Sequence, residues 1–105
     1  MKKINVKLID VVDSTNLPEV AMDQIPDEGD PIEINREMYY VCERNLGEDD
    51  GVQSIGVIPL VVKNPANVKN IRNYINCLST AHRRVQFRKG DSDCSLEDCD
   101  EMVIY

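Results

Sequence analysis

Only one stretch of this chain carries a helical rhythm. Elsewhere the apolar residues come in short alternating runs cut by proline, glycine and clustered acids, which restricts the fold to a sheet assembly with a single helix. Val68, Ile71, Ile75 and Leu78 recur at spacings of 3, 4 and 3, placing four apolar side chains on one stripe. Asn64 then Pro65 reads as the start of that helix, because asparagine can cap free backbone N–H groups and proline at the first position has none to lose. The pattern predicts an amphipathic helix over about residues 65–82. Arg83 and Arg84 follow, where positive charge meets the negative end of the helix dipole.

The remaining elements read as strands. Ile4, Val6 and Leu8 alternate with Asn5 and Lys7, predicting a first strand over residues 2–12. From Asp13 to Pro31 the chain is rich in Asp, Glu, Pro and Gly, and Pro18, Pro26 and Pro31 bar a long helix, leaving one helical turn near Glu19 to Asp23. Ile32 and Ile34, a turn at Arg36 and Glu37, and Met38 to Glu43 predict a β-hairpin whose inward face is Tyr39 and Val41 or Tyr40 and Cys42. Leu46 to Gly51 reads as a solvated loop. Val52 to Lys63, apolar on both faces after Ile55, reads as a central strand. Val85 and Phe87 alternate with Gln86 and Arg88 before a turn at Gly90, and Met102 to Tyr105 is expected as a last edge strand.

These elements predict one α+β domain spanning residues 1–105: a small, curved antiparallel sheet or partly open barrel closed at one end by the helix. The order of proline, Gly-Asp, alternating strand and tyrosine in Ile25 to Val41 resembles the opening of small SH3-like barrels over 17 of 105 residues. Such barrels host many unrelated functions, so the resemblance implies a fold and no activity.

Hydrophobic residues make up 42% of the chain, enough for one core, built mainly of aliphatic residues since there is one Phe and no Trp. The longest nearly apolar run, Ile55 to Val62, is far short of the roughly 20 residues that cross a bilayer. The beginning of the chain lacks the apolar core of a secretory signal, so a cytoplasmic location is expected, with Cys42, Cys77, Cys94 and Cys99 as free thiols. Charge is segregated. Residues 10–51 hold thirteen acids against Arg36 and Arg44, residues 63–89 hold seven Lys or Arg and no acid, and the tail after Gly90 holds six acids and no base.

Sites of catalysis or metal binding find little support in this text. His82, the single histidine, is five residues from Cys77 and off its helical face. It could serve Cys42, Cys94 or Ser79 only if folding brought them together, and a structural place at the helix end suffices to explain it. Cys94 and Cys99 lie at the edge of zinc-knuckle spacing without a second tight ligand pair. Asp91 to Asp98 begins like a calcium loop, but Leu96 stands where glycine is needed and Met102 where glutamate is needed. Acid runs such as Asp27, Glu28 and Asp30 or Glu48, Asp49 and Asp50 read as solvated loops. No phosphate-cradling glycine motif occurs. No cofactor, metal, small-molecule ligand or membrane association is therefore expected, and no enzymatic activity.

The basic block is the feature left over. Lys69 and Arg72, three apart, are expected on one helix face, with Arg83, Arg84, Arg88 and Lys89 clustered beyond its end. The block suits a solvated face or intramolecular pairing with the acidic segments, a surface for an acidic protein partner or a second copy, or a phosphate track. A net charge of −7 and the scarcity of aromatics weigh against nucleic acid. The leading expectation is a non-enzymatic protein-interaction module. The alternative is a nucleic-acid accessory protein of the kind mobile elements encode, with an enzyme third.

Overall fold

The computed structural model describes residues 4–45, 53–90 and 92–105. The loop expected at 46–51 and the first residue of the calcium-like segment, Asp91, lie outside them. The fold is α+β, with one α-helix and two sheets. In chain order it runs β1 (Ile4–Asp10), β2 (Thr15–Met22), β3 (Pro31–Ile34), β4 (Glu37–Asn45), β5 (Gln53–Pro59), β6 (Val61–Lys63), a 3-10 turn (Pro65–Asn67), α1 (Ile71–Thr80), β7 (Val85–Lys89), β8 (Ser92–Asp93) and β9 (Glu101–Ile104).

The larger sheet has the order β2-β1-β5-β4-β3 and curls into a half-barrel. β5 is central, as its two apolar faces require. Tyr39 and Val41 face one cluster, with Val6, Leu8, Ile55 and Val57; Tyr40 and Cys42 face the other, with Ile58, Leu78 and Met102. Both alternations expected for β4 are thus buried, because each face of this strand has a cover. The β3–β4 hairpin turns at Asn35 and Arg36, both at positive φ, one residue before the expected position. Two left-handed residues give the turn a twist that matches the flanking strands.

Curling comes from two irregularities. Val41 pairs with Val57 and Glu43 with Gly56, so Cys42 is the extra residue of a bulge, its thiol donating to the Gly56 carbonyl at 3.4 Å. A Cβ on Gly56 would lie 2.9 Å from Val11 Cγ1 and 3.1 Å from Glu43 Cβ, so only glycine lets the strands close here. The second bulge, where β1 meets β2, places Pro18 and Glu19 between the pairs Val6–Val20 and Leu8–Leu17.

Several expectations are corrected. The helical turn near Glu19 to Asp23 is instead β2, an edge strand in which Pro18 sits at the bulge, where its missing N–H costs no ladder bond. The sheet is not wholly antiparallel, since β1 and β5 run parallel. The run Val52 to Lys63 divides at Leu60: β5 serves the half-barrel and β6 the second sheet, order β6-β9-β7-β8. The C-terminal strand is no edge but lies between β6 and β7.

The helix is shorter than 65–82. Asn64 and Asn70 are left-handed and Val68 is extended at ψ 126°, so the 3-10 turn and α1 are separate. Asn64 makes no side-chain cap. Val68, Ile71 and Leu78 are nonetheless buried and Ile75 packs beside them, because the kink keeps the apolar stripe on one side. α1 ends in a Schellman arrangement: Arg83 N–H donates to Leu78 O at 2.8 Å and His82 N–H to Ser79 O at 3.0 Å, with His82 left-handed at φ 65°.

Candidate functional site

Two hollows run along the seam between α1 and the second sheet, and they meet at Ser79. The larger, about 740 Å³, lies beyond the helix end, walled by Ser79, Arg83, Arg84, Gln86 and Tyr105. The smaller, about 410 Å³, is walled by Arg72, Ile75, Asn76, Phe87, Leu96 and Glu97 among others. Together they form one trough, floored by half-buried or buried apolar residues at one end and rimmed by arginines at the other.

The arginines arrive there for separate reasons. Arg83 follows the Schellman turn, and its half-buried side chain donates from Nε to Gly29 O at 2.8 Å while its guanidinium stacks 4.5 Å from the centre of the Tyr40 ring. It therefore ties the helix end to the half-barrel. Gly29 is held at φ 89°, and a Cβ there would lie 2.4 Å from Ala81 Cβ, so glycine alone allows this approach. Gln86 and Arg88 share one face of β7 by strand alternation, with Arg84 just before the strand, and the opposite face sends Val85 and Phe87 to the core. Arg88 reaches Gln86 Oε1 and Tyr105 Oη, both at 3.3 Å, and Tyr105 O–H donates to Gln86 at 2.6 Å. Tyr105 N–H donates to Arg84 O at 2.9 Å, which carries the exposed tyrosine to the arginine end.

The remaining basic residues have other partners or places. Lys63 pairs with Glu101 at 2.7 Å, holding that carboxyl below its usual range, and Arg72 pairs with Glu97. Lys69 precedes α1, so it does not share a helix face with Arg72 as the spacing predicted. Lys89 ends β7, exposed. Two of the seven basic residues are thus matched to tail acids, and Arg88 stands opposite Glu101 in the β7–β9 ladder and helps to hold its carboxyl down, whereas Arg83 and Arg84 form no ion pair among the described residues.

The other sequence candidates stay apart from the trough or are accounted for structurally. His82 is exposed, and its ring makes no hydrogen bond to a described residue. Burial raises the thiols of Cys42, Cys77 and Cys99 above their ordinary range, which keeps them protonated and poorly nucleophilic. Among the described residues no three His, Cys, Asp or Glu side chains are gathered to hold a metal, and no helix is long and apolar enough to cross a membrane. Tyr39 is pushed up to about 12 by burial and then by Glu37, whose carboxylate accepts its O–H at 3.0 Å.

Gln86 and Tyr105 escaped sequence reasoning as members of the site. Alternation along 84–88 was a usable signal for Gln86, whereas nothing local announces that the last residue folds back onto Arg84. No protein-family model, curated protein or solved structure matches the chain.

Proposed function

We propose that this protein is a non-enzymatic interaction module that docks an acidic segment of a protein partner at the arginine end of the trough. One observation carries the reading: Arg83 and Arg84 wall a concave surface and form no ion pair among the described residues, while Lys63 and Arg72 are matched to Glu101 and Glu97. A concave, uncompensated positive patch attracts an anionic segment. A nucleic-acid track is less favoured, because these ion pairs interrupt the basic block where a phosphate backbone would need it continuous. A reducing, cytoplasmic setting fits four free cysteines.

The test is fluorescence anisotropy with a labelled Glu/Gly/Ser octapeptide and a single-stranded oligonucleotide, at low and moderate salt, with sedimentation of the protein alone. Salt-sensitive peptide binding that Arg84→Glu abolishes supports the reading. Preference for the oligonucleotide replaces it with the nucleic-acid alternative, concentration-dependent dimers that Arg84→Glu dissolves replace it with self-association, and no binding of any kind overturns it.

A further inference from the structure

The trough is electrically and chemically polar along its length. At the far end the Arg72–Glu97 ion pair bridges from α1 to the segment before β9, so any chain seated there meets a closed ion pair with little net charge. Next come Ile75, Phe87 and Leu96, an apolar floor formed by one helix side chain, one β7 side chain and one side chain from the connection between β8 and β9. Then, past Ser79, come Arg83 and Arg84. Acids gain little beside the closed Arg72–Glu97 pair and are favoured beside Arg83 and Arg84, and apolar groups are favoured between the two ends.

We infer that the trough selects an acidic segment carrying one bulky apolar side chain, the apolar group seated on Ile75, Phe87 and Leu96 and the carboxylates toward Arg83 and Arg84. This rests on the reading above and adds a second recognition element to it. From Ile75 to the helix end and on to Arg83 the trough runs on the order of 12 Å at the helical rise, so the apolar residue stands about three or four extended residues from the carboxylates. The charge order along the trough also sets the orientation, since reversing the segment would move its acids from Arg83 and Arg84 to the already paired Arg72 and Glu97.

Two labelled octapeptides test this, the Glu/Gly/Ser sequence and the same sequence with leucine four residues from its glutamate pair. Wild type is expected to bind the leucine peptide about tenfold more tightly, the effect of half-burying one such side chain. Asn76 is exposed on α1 and borders the apolar hollow, so Asn76→Trp fills it without touching the core. That variant is expected to erase the tenfold gain and keep the affinity for the glutamate peptide within about twofold. Equal affinity of wild type for both peptides overturns this inference and leaves the arginine-end reading standing. Equal weakening of both peptides by Asn76→Trp also overturns it, and failure of both peptides to bind wild type removes both readings.

Discussion

Adjacent arginines at the end of α1 should behave as different kinds of residue. Arg83→Ala removes a charge-assisted hydrogen bond to Gly29 O at 2.8 Å and a guanidinium 4.5 Å from the Tyr40 ring. The hydrogen bond, half-buried, belongs at the low end of its class, about 1.5 kcal/mol. The ring contact adds about 0.5–1 kcal/mol. The expected loss is about 2–2.5 kcal/mol, on the order of 10 °C in Tm for a chain of this size. Arg84 is exposed and its side chain contacts no described hydrogen-bond partner, so Arg84→Ala should stay within about 0.5 kcal/mol of wild type while weakening peptide binding. Arg83→Lys should recover less than half of the loss, since an ammonium neither stacks nor points a rigid N–H at the carbonyl. Urea denaturation followed by far-ultraviolet circular dichroism measures all three. If Arg83→Ala and Arg84→Ala prove equally mild, the strut assigned to Arg83 does not exist.

Three further outcomes are expected. Gly29→Ala should destabilise by about 2–4 kcal/mol, from the left-handed backbone and the overlap with Ala81, and Ala81→Gly in the same chain should recover only the overlap part; a mild single variant would contradict the tight approach. His82→Gly should stabilise by about 0.5–1 kcal/mol, because the position needs positive φ and nothing depends on the ring; a loss of stability would reveal a side-chain role. Asp10 has a raised pKa, from burial first and then from Asp13 and Glu37, against the Val12 N–H bond that lowers it. The folded state therefore holds this proton more tightly than the unfolded chain, and the associated stability is present below pH 3.8 and lost as pH rises through the folded pKa. Asp10→Asn keeps the acceptor for Val12 and should be a few tenths of a kcal/mol more stable at pH 7, with the difference vanishing near pH 3 in urea midpoints. A less stable variant at pH 7 would reverse the sign assigned here.

Local pattern made much of the fold legible. Alternation marked β1, the β3–β4 hairpin and β7, and the stripe from Val68 to Leu78 marked the helix face, because side-chain periodicity survives small changes of backbone. Where the reading failed, the deciding contact was distant. Pro18 argued for a break, yet an edge bulge accommodates it; Asn64 and Pro65 suited a helix start, yet Val68 extends the chain before α1 begins. The basic block was legible as composition but not as a site, since the acids that neutralise Lys63 and Arg72 lie 38 and 25 residues away.

By itself the sequence determined that this chain builds strands around a single amphipathic helix, that its charge falls in blocks, and which side chains fill the interior. Those properties follow from interactions within a few residues. Tertiary structure alone decided that β1 and β5 run parallel, that Leu60 hands the chain from one sheet to the other, and that Tyr105 returns to Arg84. It also decided which arginines keep their charge uncompensated, because pairing across a fold depends on the register of strands that are remote in the chain, and no local preference encodes that register.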